Sequence, residues 1–366
     1  MVYLDYNATA PLKPAVRDAV LEAMALGGNP SSVHRYGRVA RRHVEEARDK
    51  VAALVGVKPS QVIFTGSGTE ANAQAAAAGF SIVSAIEHDS VLANAPDAQR
   101  LPVTKDGVVD VAAANEIFAA APSGRVAVML VNNETGVIQP VAALAALAKA
   151  HGHRVHVDAV QAVGRIPVDC GTLGADSFAL SAHKIGGPQG VGALIVAENY
   201  PVPSLLRGGG QEMNRRAGTE NVAGIVGFGV AAQLAADDLR AAPQLRQWRD
   251  ALQAQLTAIA GDEAIMIGAD AERVANTLCI ALRGVSSETQ VMAMDLAGIA
   301  VSAGAACSSG KVKASHVLRA MGHDDAIATA ALRLSLGWNT QPDDLAHCAE
   351  AWKAMFLRAR AAKAAA

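Results

Sequence analysis

The chain has few cysteines, and none of them stands close to another. The 366 residues contain four, at Cys170, Cys279, Cys307 and Cys348. There is no C-x-x-C pair, which excludes zinc-finger and thioredoxin-type sites. So few cysteines in so long a chain also exclude a small scaffold held together by disulfides. We expect reduced thiols and a cytoplasmic protein.

An excess of charge of one sign and long hydrophobic runs are missing as well. Lys+Arg total 32 and Asp+Glu total 34, a net charge of -2, so no general attraction to nucleic acid or to an anionic membrane is expected. The longest apolar run, residues 222–232, is much shorter than the roughly 20 residues of a bilayer span. Asp5 falls where a signal peptide would need apolar residues. The sequence therefore predicts neither membrane nor direct nucleic-acid partners.

What the chain does have is apolar residues, which make up 51% of it, enough for about two domains. Short β-branched runs alternate with helical patterns in the first two-thirds, which predicts an α/β fold with a mainly parallel sheet. The predicted strands are 61–65, 81–86, 126–131, 155–158 and 193–196, with helices at 38–55 and 141–150.

The pattern changes near residue 225. A long helical region, which we expect to break near Pro243, is followed by shorter elements typical of an α+β domain. These are a strand at 276–282, a helix at 289–296, a strand at 332–336 and a helix at 343–366. We predict a large α/β domain over residues 13–240 and a small α+β domain formed by residues 1–12 and 241–366.

Polar residues follow several of the predicted strands, and ligands of open α/β sheets bind at those carboxyl ends. Residues 65–70, Thr-Gly-Ser-Gly-Thr-Glu, begin a helix. They could bind a phosphate or form an ordinary strand-to-helix turn.

His88 is either catalytic or a hydrogen-bonded residue at a strand end. Residues 132–136 suit a simple turn. Lys184 is either a desolvated nucleophile or a surface lysine.

Residues 151–158, His-Gly-His-Arg-Val-His-Val-Asp, have a spacing that could hold a metal ion. His156 and Asp158 share a face if this segment is a strand. His151 and His153 would lie at the opposite end of that strand from Asp158, so a shared metal site is geometrically awkward. Asp158 stands out because it ends an otherwise apolar strand.

Cys307 differs from the other cysteines in its surroundings. It lies among small residues, in Ala-Gly-Ala-Ala-Cys-Ser-Ser-Gly, with lysines following. A reactive thiol needs access and a positive environment, and this segment provides both. We predict that Cys307 is the reactive cysteine.

A Schiff-base lysine, an aspartate for a pyridinium nitrogen and a glycine/threonine phosphate cradle are what pyridoxal phosphate requires of a protein. Their order here resembles the fold-type I enzymes. The sequence resembles the cysteine desulfurases of the class V aminotransferase group, in the NifS/IscS-like subgroup, from about residue 2 to 355. Seven segments carry the resemblance: 3–9, 28–34, 132–136, 156–161, 181–184, 216–221 and 317–322. The resemblance implies a fold-type I transferase with a seven-stranded-type sheet and a small C-terminal domain that carries the cysteine loop.

The resemblance also implies roles around the cofactor. Lys184 would bind pyridoxal phosphate covalently, Asp158 would keep its ring nitrogen protonated, and His88 would stack on the ring and assist proton transfer. Gln161 and Asn133 would contact the ring oxygen. Thr219 would reach the phosphate of the neighbouring subunit, which implies a homodimer. The other phosphate contacts would be Gly68, Thr69, Ser181 and His183.

For the substrate, the resemblance implies that Arg333 binds the carboxylate of L-cysteine, with Asn133 beside it. Cys307 would take the sulfur as a persulfide and L-alanine would leave. The persulfide would pass to an iron–sulfur scaffold or a thiolation carrier, and no metal is expected beyond a cluster bound transiently through it. Gly186 and Gln189 depart from the family pattern, in which an aromatic residue and a lysine are usual.

Three alternatives remain at this point. A selenocysteine lyase, an aminotransferase or another class V enzyme would share the cofactor and most of the motifs. A non-catalytic thiol scaffold would keep only the fold, and the presence of Lys184, Asp158, His88 and Arg333 argues against it. A metallohydrolase built on His151, His153 and Asp158 is the weakest.

Overall fold

The structure, a computed structural model, describes residues 1–198, 200–304 and 314–365. Its strands are β1 (Val2–Tyr3), β2 (Val62–Thr65), β3 (Ile82–Ser84), β4 (Gln99–Leu101), β5 (Arg125–Met129), β6 (Arg154–Asp158), β7 (Ser177–Ser181), β8 (Gly192–Val196), β9 (Ala264–Met266), β10 (Thr277–Leu282), β11 (Ile299–Ala300), β12 (Ser302–Ala303) and β13 (Ala331–Ser335). Its α-helices are α1 (Pro14–Met24), α2 (Arg35–Leu54), α3 (Gly68–Ala76), α4 (Asp89–Leu92), α5 (Val111–Ala120), α6 (Val141–Ala150), α7 (Cys170–Leu173), α8 (Gln211–Asn214), α9 (Val222–Ala260), α10 (Ser287–Leu296), α11 (His316–Ala320), α12 (Asp325–Ala328) and α13 (Pro342–Ala365).

The largest sheet in the described residues has seven strands in the order β2-β8-β7-β6-β5-β3-β4. Only β8 runs against its neighbours β7 and β2, and the other pairs are parallel. The predicted mainly parallel α/β sheet is therefore confirmed. The carboxyl ends of the six strands that share a direction lie at one edge, where a ligand site is expected.

The central strands are apolar on both faces because helices cover both sides of a parallel sheet. Val126, Val128, Val155 and Val157 are fully buried in one core with residues of α2, α6 and α9. Ile63, Val83 and Ala127 point into a second core on the opposite face, against residues of α3. The continuous apolar runs that predicted these strands reflect this two-sided burial.

The C-terminal part has a smaller sheet in the order β12-β13-β10-β9, with antiparallel neighbours. The predicted strands at 276–282 and 332–336 correspond to β10 and β13, and the predicted helix at 289–296 corresponds to α10. β1 pairs with β11, so the first residues of the chain lie against this part. The division into two domains at residues 12/13 and 240/241 stays a prediction.

The expected break near Pro243 is wrong, because α9 is continuous from Val222 to Ala260 with Pro243 inside it. Proline removes one helical hydrogen bond, the one to the carbonyl of Leu239, without interrupting the helix here. On either side the helix is fixed by packing: Ile225 and Phe228 lie in the large core, and Leu252 and Leu256 lie in the core of the C-terminal part.

α9 is also long and apolar enough to cross a membrane, judged by length and composition alone. In this fold it packs along α1 and α2 and contacts α13. Its apolar residues therefore have partners within the protein, as the core helix of a globular protein does.

Pro243→Ala tests the continuity of α9. Because the helix already holds helical geometry there, alanine restores a backbone donor and removes a steric clash, and we expect the free energy of unfolding to rise by about 2 kcal/mol. The measurement is urea unfolding followed by circular dichroism. Gln247→Ala, an exposed change on the same helix, is the control and should alter stability by less than about 0.5 kcal/mol. A loss of stability in Pro243→Ala would contradict a continuous helix.

Candidate active site

A cavity of about 350 Å³ opens at the carboxyl edge of the large sheet. It brings together nearly all the residues that the sequence singled out, although they come from different strands, turns and helices. The predicted residues that line it are Gly68, Thr69, His88, Asn133, Asp158, Gln161, Ser181, His183, Lys184 and Arg333. A neighbouring cavity of about 220 Å³ is lined by Trp248 and Trp338 among others; it shares Lys184 but none of the other residues just named.

Lys184 stands at the end of a short 3-10 turn that follows β7. Its Nζ donates to the backbone oxygens of Asn7 and Ala8, each at 2.7 Å. Burial, together with the charges of Arg165 and Arg333, lowers the pKa of the amine to about 7, and the opposing charges of Asp5 and Asp158 are smaller causes. A lysine with such a pKa is a competent nucleophile near neutral pH. The surface-lysine interpretation is therefore wrong.

Asp158 ends β6 with its carboxylate facing the cavity. Its Oδ1 accepts from the backbone N–H of Val160 at 2.9 Å, and its Oδ2 accepts from Nδ2 of Asn72 at 2.8 Å. Two N–H donors suit an ionised carboxylate. Lone pairs that these donors leave free can accept from a protonated ring nitrogen placed in the cavity.

The turn before α3 has the features of an anion cradle. Ser67 caps the helix by accepting from the N–H of Glu70, and α3 begins at Gly68, so its first N–H groups point outward. A Cβ on Gly68 would lie 2.8 Å from Cγ2 of Val160, so only glycine fits without displacing a side chain. Ser181 and His183 lie on the same cavity wall. Burial lowers the pKa of His183 to about 4, which keeps its ring neutral.

His88 is hydrogen-bonded, but it caps the start of α4, four residues after β3, and does not end a strand; it also lines the cavity. Its Nδ1 accepts from the backbone N–H of Ser90 at 3.1 Å. In the uncharged tautomer that this bond selects, Nδ1 is the acceptor and the proton is on Nε2. His88 is thus fixed in one tautomer at the cavity wall.

Arg333 lies on β13 and is buried. One guanidinium nitrogen, Nη2, pairs with Oδ1 of Asp5 at 2.9 Å, and Nη1 donates to the backbone oxygen of Asn133 at 3.0 Å. Its Nε has no hydrogen-bond partner among the described residues. Gln161 lines the same cavity, and its Nε2 donates to the backbone oxygen of Asn7 at 2.9 Å.

Two predicted residues are not part of this cavity. Thr219 is exposed and lines a separate small cavity with Gly66, Arg216 and Asn221. Cys307 lies outside the described residues. The other three cysteines are buried, and burial raises the pKa of each thiol to about 12, so none of them is a ready nucleophile.

The metal interpretation of residues 151–158 does not match the geometry. Nδ1 of His153 accepts from the N–H of Gly124, and its Nε2 bonds to the backbone oxygen of Phe118. His151 bonds to Asn115. Across the parts of the chain that the structure describes, no three His, Cys, Asp or Glu side chains are placed to hold a metal ion.

Sequence reasoning gave no role to several residues of the site: Asp5, which pairs with Arg333, and Asn7, Ala8, Asn72 and Ser90, which line the cavity. The segment 3–9 was among the motifs that carry the resemblance, and this was the one available signal for the first three. Asn72 and Ser90 follow the cradle and His88 along the chain by only a few residues, but nothing in their local pattern distinguishes them from ordinary helix residues.

The model of the family described as "Aminotransferase class-V" matches residues 2–347. The chain belongs to this family. An IscS-like cysteine desulfurase of Mycobacterium tuberculosis is 37% identical, over 100% of this chain and 99% of its own. A cysteine desulfurase of Cereibacter sphaeroides is 41% identical, over 93% of this chain and 92% of its own length. The solved NifS-like protein of Rickettsia africae has a TM-score of 0.91 at 32% identity, covering 97% of this chain and 99% of that one.

Class-V aminotransferases and cysteine desulfurases depend on pyridoxal phosphate, and the fold is that of the fold-type I enzymes. The cavity fits this cofactor on its own evidence. It offers a lysine amine with a pKa of about 7, a carboxylate with two N–H donors, and a helix N-terminus beside a position where only glycine fits. These match the aldehyde, the ring nitrogen and the phosphate of the cofactor.

The lowered pKa of Lys184 predicts how the cofactor-free protein reacts with pyridoxal phosphate. Only the neutral amine attacks the aldehyde, so the rate should rise between pH 6 and pH 8 and level off above, with a midpoint near the pKa of about 7. The rate is measured from the growth of visible absorbance. Free Nα-acetyl-lysine is the control for ionisation of the cofactor itself, and its rate should continue to climb towards pH 10. A protein profile like that of free lysine would contradict the buried amine.

Proposed function

We propose that the protein is a pyridoxal phosphate-dependent cysteine desulfurase, which converts L-cysteine to L-alanine and places the sulfur on Cys307. The observation that carries the proposal is that Lys184, Asp158 and Arg333 line one and the same cavity. The names of relatives that align over nearly the whole chain support the same substrate.

Each wall of the cavity has a task. Lys184 would hold the cofactor aldehyde, Asp158 its ring nitrogen, and the N-terminus of α3 with Ser181 and His183 its phosphate. When bound, the cofactor supplies an electron sink for the bond-breaking steps at the amino acid. His88 and Gln161 would fix its ring from the sides.

Arg333 would bind the substrate carboxylate. Its Nη2 and Nη1 are held by Asp5 and Asn133, so the fork is oriented before substrate arrives. The free Nε offers a buried donor that a carboxylate oxygen would satisfy. The amine of Lys184, with its pKa of about 7, would take the proton from Cα of the bound amino acid.

Sulfur transfer requires a second nucleophile. The Cys307 thiolate would attack the substrate sulfur, so an S–S bond forms and the Cβ–S bond breaks. The electron pair of that bond remains on the substrate carbon skeleton, and two protons return to it to give L-alanine. Sulfur is left on Cys307 as a persulfide. A reducing thiol or an acceptor protein then removes that sulfur.

Cys307→Ala tests this assignment. We expect alanine formation from L-cysteine to fall about a hundredfold or more, while the absorbance of the bound cofactor stays that of the wild type. Cys170→Ala is the matched control, since Cys170 is buried with a pKa raised to about 12, and its activity should stay within about twofold. Mass spectrometry should find one added sulfur atom on Cys307 alone. Unchanged alanine formation in Cys307→Ala would refute the role of this thiol.

We also propose that the active unit is a homodimer in which Thr219 binds the phosphate of the partner's cofactor. Thr219 is exposed and does not line the cavity of its own chain. Its segment is tied to the cradle by Arg216, whose Nε pairs with Oε1 of Glu70 at 2.8 Å. Glu70 in turn accepts from the N–H of Gly66 at 2.7 Å. A residue held at the edge of one cradle is well placed to serve a second one across an interface.

Subunit complementation tests the shared site. If Lys184 and Thr219 of one site come from different chains, mixing Lys184→Ala with Thr219→Val produces heterodimers with one intact site. After random exchange, about a quarter of wild-type activity should return. The unmixed variants are the controls. If both residues serve the same chain, mixing restores nothing, and the shared site is refuted.

We further propose that the persulfide serves iron–sulfur assembly or thiolation through a protein acceptor. The support is the name of relatives such as the cysteine desulfurase IscS of Dictyoglomus turgidum, which is 38% identical.

A further inference from the structure

His156 belongs to the histidine-rich segment that suggested a metal, but it has a different set of contacts. It lies in β6, is buried, and stacks on the ring of Phe80 with centroids 5.5 Å apart. Its Nδ1 is 2.9 Å from the hydroxyl of Ser177, and its Nε2 is 2.9 Å from Oδ1 of Asn72. Both ring nitrogens are therefore engaged by side chains.

The direction of these hydrogen bonds follows from donor and acceptor types. Burial lowers the pKa of His156 to about 3, so the ring is neutral and carries one proton. An amide oxygen only accepts, so that proton sits on Nε2 and points to Asn72. Nδ1 must then accept from the hydroxyl of Ser177. The amide of Asn72 is fixed with its oxygen towards His156 and its nitrogen in the opposite direction.

The amide nitrogen of Asn72 has two hydrogens, and each has a partner at the cavity. One is donated to Oδ2 of Asp158 at 2.8 Å, and the other to the hydroxyl of Ser90, also at 2.8 Å. Ser90 can then donate its own hydrogen to Nδ1 of His88 at 2.8 Å. A flipped amide would instead point its oxygen at the Asp158 carboxylate, which is repulsive.

We propose that Asn72, locked by His156 and Ser177, is a positioning residue that orients both Asp158 and His88 around the cofactor. This inference rests on the proposed cofactor chemistry and assigns a function to residues behind the cavity wall. Asp158 would face the ring nitrogen in one orientation, and His88 would keep its proton on Nε2. Asp158 and His88 are coupled because Nδ2 of Asn72 donates one hydrogen to Asp158 and the other to Ser90, which contacts His88.

The test compares His156→Phe with His153→Phe in the full-length protein. Both changes remove the hydrogen bonds of a buried histidine that contacts a phenylalanine ring, Phe80 in one case and Phe118 in the other. His153 lies just before β6 and, among the described residues, bonds to the backbone atoms of Gly124 and Phe118. His153→Phe therefore reproduces the structural damage without touching Asn72. Each variant is examined for thermal stability, for affinity for pyridoxal phosphate, and for the pH at which the visible absorbance of the bound cofactor changes.

We expect both variants to lose thermal stability, but only His156→Phe to bind pyridoxal phosphate about tenfold more weakly. Its absorbance midpoint should move to higher pH by about half a unit or more. If Asp158 holds the proton of the ring nitrogen less firmly, the cofactor ring carries less positive charge. The nitrogen that joins Lys184 to the cofactor then stays protonated up to a higher pH. His156→Gln, which retains a donor towards Asn72, should recover part of both effects. Asn72→Leu should show both effects in full.

Other outcomes overturn the proposal. If His156→Phe keeps the wild-type affinity and midpoint, or if His153→Phe shifts them equally, the residues have only a structural role. If Asn72→Leu does not fold, the two histidine variants still decide. If the wild-type protein does not bind pyridoxal phosphate at all, the proposed function fails together with this inference. If the wild type binds it normally but the two histidine variants have the same affinity and the same absorbance midpoint, this inference alone is refuted.

Discussion

The structure of the site depends on keeping one amine uncharged in a buried place. Lys184 is surrounded by protein and by the charges of Arg165 and Arg333, and these lower its pKa to about 7. A neutral amine still needs acceptors for its hydrogens, and the backbone oxygens of Asn7 and Ala8 supply them. The N-terminal segment must therefore cross the carboxyl edge of the sheet. It is held there by β1 against β11 and by a bridge between Asp5 and Ser335.

This dependence explains which parts of the site could be predicted from the sequence. Asp158, Lys184 and the cradle at Gly68 follow buried strands, so their chemical types stand out against apolar surroundings, and parallel topology brings them to one edge. The acceptors for Lys184 are backbone oxygens, which every residue type has, so the sequence does not reveal them. Asn72 lies inside a helix, where its neighbours along the chain say nothing about Asp158. The continuity of α9 was equally hidden, because tertiary packing on both sides of Pro243 overrides the local signal.

The three histidines of residues 151–158 show how similar spacing serves different purposes. His151 bonds to Asn115, His153 joins two backbone segments, and His156 contacts Asn72. A strand separates its two ends by several residues' rise, so groups that are close in sequence reach different regions of the fold. Only His156 and Asp158, which share a face, belong to the same network. The two-residue spacing correctly places His156 and Asp158 on one face of the strand. The metal interpretation was wrong to add His151 and His153 to them.

Gly186, a departure from the family pattern, has a local explanation that leaves the chemistry intact. It lies two residues after Lys184 at a φ of 75°, where a Cβ would stand 2.8 Å from Cγ of Lys13. The stem of Lys13 occupies that space, and its Nζ pairs with Asp238 of α9 at 2.6 Å. The N–H of Lys13 also donates to the oxygen of Gly186. Glycine at this position thus leaves room for Lys13, which precedes α1 and connects the turn that carries Lys184 to Asp238 of α9. The departure at Gly186 therefore concerns the support of the turn that carries Lys184.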